Sequence, residues 1–160
     1  MAQSDGDGWV ECTCGARHWG KHGAAGVLII DSQREHVLMQ LRAEWTHGGQ
    51  TWGIPGGARD SHETVIEAAL RELDEELGVK SHHVDVVLSE VWTDHGPWTY
   101  HTVVAVANRE LEFSPNSESV EARWVLLDAV AELELHPALA IVWSDIHQHV
   151  VSSLGVGDQS

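Results

Sequence analysis

Apolar and polar positions divide the chain into predicted strands and helices of an α/β fold. Strands are expected where apolar residues run together, or alternate with polar ones, between turn-forming residues. The predicted strands are residues 23–31, 36–42, 84–92, 100–107 and 122–127, with a short extended piece at 51–55 and loops at 43–50, 56–62 and 94–97. Glu63–Leu77 and Pro137–Leu154 are predicted helices, because apolar residues recur there at helical spacing. This order of elements favours helices packed on both faces of a mixed β-sheet.

The helix predicted over Glu63–Leu77 carries one apolar stripe, which we expect to face the core. At about 100° per residue, one face collects five apolar side chains: Ile66, Ala69, Leu70, Leu73 and Leu77. Asp60 and Glu63 have the spacing of a capping pair, and Gly78 is a suitable residue to end the helix. In the second helix, the corresponding apolar positions are Leu139, Val142, Ile146 and Val150.

Three glutamates gather beside the apolar stripe near the carboxyl end of the first helix. Glu72 lies three positions before Glu75 and four before Glu76. Like charges at such spacings destabilise a helix by roughly 0.2–0.5 kcal/mol per pair, and the helix dipole also disfavours anions at this end. A hard divalent cation would resolve both conflicts, because Mg²⁺ prefers oxygen ligands. The alternative is a solvated acidic face, which is common on helices.

Two glycines stand before this helix. Gly56 and Gly57 permit close approach of the backbone, and they lead from the short extended piece into the loop that precedes the helix. The carbonyl of Gly57 could then face the same cation as the glutamates, while Arg71 can reach Glu75 at i, i+4. The alternative for paired glycines is a tight turn.

The spacing of these residues resembles the Nudix box of the Nudix hydrolase family, in its MutT-like form. Gly57 is followed by five residues, Glu63, seven residues and then the run Arg71-Glu72-Leu73-Asp74-Glu75-Glu76-Leu77-Gly78-Val79, so every fixed position of the 23-residue signature is filled. The preceding run Trp52-Gly53-Ile54-Pro55-Gly56 is similar to the usual lead-in. The resemblance covers roughly Gly23–Leu154 and implies an α/β/α sandwich, with the mixed sheet between helices.

The resemblance also implies a reaction and a cofactor. Members hydrolyse a nucleoside diphosphate that is linked to another group, and they use Mg²⁺ or Mn²⁺. By position in the motif, the metal ligands would be Glu72, Glu75, Glu76 and the carbonyl of Gly57. Arg71 would orient a glutamate, and Glu63 would serve the junction of loop and helix or an outer metal position.

Glutamates outside the motif are candidates for one more acidic group. The segment Glu118-Ser119-Val120-Glu121-Ala122-Arg123-Trp124 resembles a later loop of members that cleave nucleoside triphosphates. Glu118 is the first candidate and Glu121 the second, and the alternative is that both are solvated loop residues. Glu72 or Glu118 would accept the proton of the attacking water.

Arg42 and three tryptophans are candidates for binding the nucleotide. Arg42 ends a predicted strand and resembles a phosphate-contacting arginine of some members, since a guanidinium group suits phosphate geometry. Trp52, Trp92 and Trp98 are candidates to stack on a base. The alternatives are a surface arginine and tryptophans that pack in the core.

A cluster of soft ligands near the N-terminus is a second candidate metal site. It consists of Cys12, Cys14, His18 and His22. Four such ligands within eleven residues could bind Zn²⁺ tetrahedrally, although the first interval is shorter than usual and the family does not require zinc there. The alternative is a reduced, metal-free segment.

Composition and charge restrict the partners. With 9 Lys and Arg against 25 Asp and Glu, the net charge of −16 argues against binding of long nucleic acids, whose affinity depends on basic side chains. A small nucleotide is compatible with this charge if cations lie between it and the protein. The two cysteines are too few for a disulfide framework. No apolar run is long enough to span a membrane, and no signal-peptide pattern is present, so a cytoplasmic location is expected.

The length of 160 residues predicts one domain. Residues 1–8 and 155–160 are rich in polar and small residues and are predicted to be mobile tails. A single hydrolase domain is expected over residues 9–154, acting as a monomer or a homodimer.

Three alternative functions follow from the sequence. The first is a metal-dependent hydrolase of a phosphoanhydride bond, by default one that converts a nucleoside triphosphate, oxidised ones included, to a monophosphate and pyrophosphate. ADP-ribose and dinucleoside polyphosphates are alternative substrates. The second is a nucleotide-binding or regulatory module without activity, which a missing glutamate in the motif would have favoured. The third is a prenyl diphosphate isomerase, which would need a catalytic cysteine in the pocket, whereas Cys12 and Cys14 precede the first core strand.

Overall fold

The computed structural model describes residues 5–11, 17–46, 49–94 and 98–154. The strands in these ranges are β1 (Trp9–Glu11), β2 (Arg17–Trp19), β3 (Ala24–Ile30), β4 (His36–Arg42), β5 (Trp52–Gly53), β6 (Gly56–Ala58), β7 (Val84–Asp94), β8 (Thr99–Ala107) and β9 (Ser119–Leu126). The helices are α1 (Val65–Leu77) and α2 (Pro137–Leu154), with short 3₁₀ turns at Ser81–His83 and Leu127–Glu132.

Seven of the strands form one mixed sheet. Its main path runs β5-β4-β3-β8-β7, while β6 pairs with β3 and β9 pairs with β4. The pairing of β3 with β8 is parallel, and the other pairings in this sheet are antiparallel. β3 and β4 are in register at Ile30 and Val37. Beyond that point β3 pairs with β6 and β4 pairs with β9, so the two central strands separate towards one end of the sheet.

The two helices cover opposite faces of the sheet, which confirms the predicted α/β/α sandwich. The core beneath α1 combines helix residues such as Leu73 and Leu77 with Val27 and Ile29 of β3. The core beneath α2 combines Ile146 and Val150 with the residues of β3 that point the other way, such as Leu28. Since side chains alternate across a strand, β3 contributes to both cores and is buried throughout.

The predicted apolar stripes of both helices are confirmed, but the start of the first helix is not. Thr64 caps α1: its hydroxyl accepts a hydrogen bond from the Glu67 amide at 3.1 Å, and the Glu67 carboxylate accepts one from the Thr64 amide at 2.9 Å. The predicted capping pair of Asp60 and Glu63 is therefore wrong. Glu63 does accept a hydrogen bond from the Asp60 amide at 3.0 Å, and others from Arg71, but Asp60 and Glu63 both precede the first helical residue, Val65. At the other end, Gly78 takes the predicted left-handed conformation, with φ of 70°.

Other boundaries also differ from the predictions. Part of the predicted loop at residues 56–62 is a strand, because Gly56–Ala58 pairs with β3. The strand predicted at 122–127 begins at Ser119, since it pairs with β4 from that residue onward. β7 continues to Asp94, where a turn was predicted, and the rest of that turn, residues 95–97, lies outside the described residues. The hairpin of β1 and β2 was not predicted.

The ends of the chain were predicted as tails. Residues 1–4 and 155–160 lie outside the described residues. Within the predicted tail, the Gly6 amide donates a hydrogen bond to Asp60 at 2.9 Å, and Asp5 accepts hydrogen bonds from Ser61. The division into tails and domain stays a prediction. Within the described ranges, no helix combines the length and apolar character required to cross a membrane.

The cap of α1 gives a first test. Thr64 is exposed, so Thr64→Ala removes the capping hydroxyl without opening the core. We expect a loss of about 0.5–2 kcal/mol in the free energy of unfolding, measured with urea. Thr64→Ser is the matched control and should retain most of the stability, because it keeps the hydroxyl. Equal stability of the alanine and wild-type proteins would contradict the role of this cap.

Candidate active site

Arg71 organises the acidic residues along one side of α1. Its guanidinium group donates two hydrogen bonds to Glu63, at 2.7 and 2.8 Å, and one to Glu72 at 3.0 Å. Longer contacts of 3.4 Å reach Glu75, and the carbonyl of Ala58 accepts a further bond at 3.0 Å. The paired hydrogen bonds from Arg71 lower the pKa of Glu63. Glu63 is therefore held ionised at the junction of loop and helix.

Glu76 is the most deeply buried of the three motif glutamates, with 3% of the residue exposed. One carboxylate oxygen accepts a hydrogen bond from the Gln40 amide of β4 at 3.1 Å, and the other accepts one from the Gly56 amide of β6 at 2.8 Å. Burial raises the pKa of Glu76 to about 8, and repulsion from Glu72 adds to the rise, although both hydrogen bonds oppose it. The charged form is thus costly at neutral pH without a compensating positive charge.

Glu72 lies against the glycine that precedes the helix. A Cβ atom placed on Gly57 would come within 2.5–3.0 Å of the Glu72 carboxylate, so only glycine leaves room for this side chain. Burial raises the pKa of Glu72 to about 7, and repulsion from Glu75 contributes to the rise. Glu75 itself is more open, with 56% of its side chain exposed. The motif therefore combines a buried carboxylate, that of Glu76, with a half-buried one, that of Glu72, and one at the surface, that of Glu75.

The loop after β8 brings a fourth glutamate to the same place. Asn116 ties this loop to the carboxyl end of α1, because its backbone amide donates to the Glu76 carbonyl at 2.8 Å and its side chain donates to the Glu75 carbonyl at 3.1 Å. The side chain of Asn116 also accepts a hydrogen bond from the Glu118 amide at 2.9 Å. The charge of Glu118 raises the pKa values of both Glu72 and Glu76, so its carboxylate lies within electrostatic range of theirs.

The second candidate in this segment, Glu121, has other contacts. It accepts a hydrogen bond from Arg123 at 3.1 Å, and the guanidinium group of Arg123 lies 4.7 Å from the ring centre of Trp52. Ala122, between them in β9, packs against the core beneath α1. Because side chains alternate along a strand, Glu121 and Arg123 point to the opposite face.

Arg42 and Tyr100 lie near the glutamates. The charge of Arg42 opposes the rise in the pKa of Tyr100, a rise caused mainly by burial and then by Glu76. The Tyr100 hydroxyl lies over the glycine backbone, since a Cβ atom on Gly56 would be 2.6 Å from it. Arg42, the candidate phosphate-binding residue, thus lies within electrostatic range of Tyr100.

The candidate tryptophans have different surroundings. Trp52 is buried in the core beneath α2. Trp98 stacks on His18, with ring centres 4.3 Å apart, and its indole donates a hydrogen bond to the carbonyl of Trp19 in β2 at 3.1 Å. The backbone of Trp92 belongs to β7, and its side chain lies outside the described part of the structure.

Of the candidate zinc ligands, Cys12 and Cys14 also lie outside the described residues.

A different trio could also hold a metal ion. The ligand atoms of Asp60, His62 and Glu63 all lie within 4.8 Å of one another. Among the described residues, Glu72, Glu75 and Glu76 do not form so compact a group. In the compact trio, however, Glu63 is held by the guanidinium group of Arg71, which would compete with a cation. Among the motif glutamates, Arg71 forms ion pairs with Glu72 and Glu75, but the structure shows none between Arg71 and Glu76.

Comparison with known proteins identifies the class of this site. The sequence profile of the NUDIX domain family matches residues 20–144. The chain belongs to the Nudix family and is a hydrolase that acts on pyrophosphate bonds.

Particular relatives refine this assignment. A Mycobacterium tuberculosis protein with the provisional name 8-oxo-dGTP diphosphatase 3 is 48% identical over 151 residues, which cover 89% of this chain and 70% of that protein. A nucleoside triphosphate pyrophosphatase/Nudix hydrolase fusion protein of Bifidobacterium longum is 43% identical over 86% of this chain, but this region spans only 30% of the fusion protein. The crystal structure of RenU, a Nudix hydrolase from M. smegmatis, superimposes with a TM-score of 0.86 and 43% identity, covering 96% of this chain and all of RenU.

Gln40, Asn116 and Tyr100 were not among the predicted site residues. A polar residue inside the otherwise apolar strand β4 was an available signal for Gln40. Asn116 offered no such signal, because its partners are backbone groups of a helix about forty positions earlier in the chain.

The buried glutamates predict a pH dependence of stability in the absence of metal. Their raised pKa values mean that, between about pH 5 and pH 8, the folded protein binds more protons than the unfolded chain, whose glutamates titrate near about 4.3. Their contribution to stability therefore falls as pH rises through this window. We expect that, as the pH rises through this window, the free energy of unfolding of the wild type falls more than that of Glu76→Gln. Both would be measured with urea in EDTA. Parallel pH curves for the two proteins would contradict the raised pKa.

The contact of Gly57 with Glu72 predicts a separate effect on metal binding. Gly57→Ala should displace the flexible carboxylate rather than the backbone. We expect little change in unfolding by urea but a loss of about tenfold or more in Mn²⁺ affinity, measured by electron paramagnetic resonance. Gly53→Ala is a matched control, because its new methyl group would meet only the Arg42 Cδ atom, at 3.8 Å. Unchanged Mn²⁺ affinity in Gly57→Ala would show that this contact does not shape the site.

Proposed function

We propose that this hydrolase uses Mg²⁺ or Mn²⁺ to cleave a nucleoside triphosphate, including oxidised ones, into a monophosphate and pyrophosphate. The observation that carries the proposal is that half-buried Glu72 and buried Glu76 lie near the carboxyl end of α1 within electrostatic range of Glu118, and that the pKa values of Glu72 and Glu76 are raised. Carboxylates whose charge is disfavoured by burial and by one another are typical of sites that bind cations.

The donor set fits a hard divalent cation. Glu72, Glu75 and Glu76 supply carboxylate oxygens, Gly57 supplies a backbone carbonyl and Glu118 is placed to add another carboxylate, and these are the ligand types that Mg²⁺ and Mn²⁺ prefer. Arg71 neutralises Glu63 and part of the charge of Glu72, but it does not contact Glu76 in the structure. The site still requires a positive charge that offsets the repulsion of Glu76 by Glu72 and Glu118. Bound there, the cation would neutralise phosphate oxygens and activate water.

The residues of this chain then have distinct tasks. Glu72 or Glu118 accepts the proton of the attacking water, and the two carboxylates are close enough for the charge of Glu118 to act on Glu72. The raised pKa of Glu72, about 7, lies near the operating pH and suits a group that takes up and releases a proton. Arg71 fixes the orientation of Glu72 through the hydrogen bond of 3.0 Å. Glu121, which points to the other face beside Arg123, is the weaker candidate for the base.

Arg42 is proposed to bind the phosphate chain of the substrate. Its charge acts on Tyr100, on which the charges of Glu72 and Glu76 also act, and guanidinium groups pair well with phosphate oxygens. Trp98 and Trp92 remain candidates for contact with the base, although the stacking of Trp98 on His18 also gives it a structural task. The Mycobacterium tuberculosis relative, whose provisional name refers to 8-oxo-dGTP, supports an oxidised purine nucleotide as the first substrate to test.

The test is hydrolysis of a set of nucleotides in ¹⁸O-labelled water with Mg²⁺ or Mn²⁺. The set should include 8-oxo-dGTP, dGTP, ADP-ribose and a dinucleoside polyphosphate. We expect the labelled products to be a monophosphate or pyrophosphate, because the water attacks an internal phosphorus. Labelled orthophosphate together with a nucleoside diphosphate would refute the proposed geometry, and preference for one of the other two substrates would refute the proposed substrate class.

Glu72→Gln separates catalysis from folding in the same assay. The variant keeps the size of the side chain but loses the base and a metal ligand, so turnover should fall by about a hundredfold or more. Glu121→Gln is the matched control and should retain activity. Normal turnover in Glu72→Gln would remove Glu72 from the mechanism, and an equal loss in Glu118→Gln would indicate that both carboxylates are needed.

A further inference from the structure

Gln40 is a buried amide in the middle of an apolar strand. Only 1% of the residue is exposed, and its neighbours Leu38 and Met39 in β4 are fully buried apolar residues. An amide in such a position costs stability unless its polar atoms are hydrogen-bonded. Its hydrogen bonds therefore indicate what it does.

Both hydrogen bonds of Gln40 come from the same atom. Nε2 donates to the Glu76 carboxylate at 3.1 Å and to the Ser119 hydroxyl at 2.5 Å. An amide nitrogen carries two hydrogens, so both donors are in use. The carboxylate sets the orientation of the amide, because the Gln40 oxygen would face another acceptor if the group were turned over.

The oxygen of Gln40 is left without a partner. Among the described residues, it is the buried side-chain polar atom for which the structure shows no hydrogen bond. An unsatisfied buried acceptor costs stability, and an apolar side chain at this position would not carry that cost. Packing therefore does not explain why an amide occupies this position, whereas the two hydrogen bonds that it donates do.

Those two donors join different parts of the candidate site. Glu76 comes from α1, and Ser119 follows Glu118 at the start of β9. β4 and β9 change register between Leu41 and Arg42, next to the pairing of Arg42 with Ser119. Backbone pairing alone is thus irregular at this point, and the amide of Gln40 spans the gap between the helix and the loop.

We propose that Gln40 is a positioning residue that holds the Glu76 carboxylate and the Glu118–Ser119 segment in fixed relation, so that both can bind the same divalent cation. This inference rests on the proposed function, since it assigns to Gln40 the alignment of the metal ligands. Gln40 acts through Glu76 and Ser119 and does not itself enter the reaction. Partners that orient metal ligands are typically worth 10–100-fold in metal affinity.

The test is Mn²⁺ binding to the full chain with Gln40→Met, measured by electron paramagnetic resonance. Methionine has nearly the same volume but no donor, and we expect the Mn²⁺ affinity to fall about 10–100-fold. Gln148→Met is the matched control, because Gln148 is exposed on α2, and it should bind Mn²⁺ as the wild type does. Unfolding by urea in EDTA should show that the metal-free Gln40→Met protein is folded.

The outcomes separate this inference from the proposed function. If the wild type binds Mn²⁺ and Gln40→Met binds it equally well, Gln40 is not a positioning residue, while the metal site stands. If the wild type binds no Mn²⁺, both ideas fail. Should Gln40→Met not fold, Ser119→Ala decides the question: it removes one anchor of the amide and should weaken Mn²⁺ binding several-fold, and unchanged affinity would overturn the proposal.

Discussion

The buried carboxylate of Glu76 is the interaction on which the site and the nearby sheet depend. It accepts hydrogen bonds from β4 through Gln40 and from β6 through Gly56, at the place where the two central strands β3 and β4 have separated. A charged group in this position is costly, and removing one of its partners would leave it uncompensated. The fold therefore holds a carboxylate whose charged form is disfavoured by burial, and a nearby positive charge would stabilise that form.

Arg71 shows how the same helix can contain acids of two kinds. Glu63 receives two strong hydrogen bonds from Arg71, which lower its pKa and fix the loop before the helix. Glu72 receives one, and burial outweighs it, so its pKa rises. One arginine thus leaves one carboxylate in a structural role and another with the properties of a proton acceptor. Environment, not residue type, makes the difference between them.

Glycine and loop contacts determine how close these groups can come. Gly57 leaves room for the carboxylate of Glu72, and Gly56 leaves room for the hydroxyl of Tyr100. Asn116 then fastens the loop that carries Glu118 to the carbonyl groups at the end of α1. Those carbonyls have no partners within the helix, so the loop satisfies them while it brings a further acid to the site.

The sequence by itself determined the family motif, the reaction class and the two amphipathic helices, because these depend on local spacing. The stripe of α1 is visible in the positions of Leu73 and Leu77, and the acidic residues follow the same period. The sequence did not determine the cap at Thr64, since it contains two pairs with capping spacing, Asp60 with Glu63 and Thr64 with Glu67, and both pairs form hydrogen bonds in the structure. Only the tertiary structure placed Gln40 beside Glu76 and separated Glu118 from Glu121. Those relations join residues far apart in the chain, and they depend on strand pairing and on which face each side chain takes.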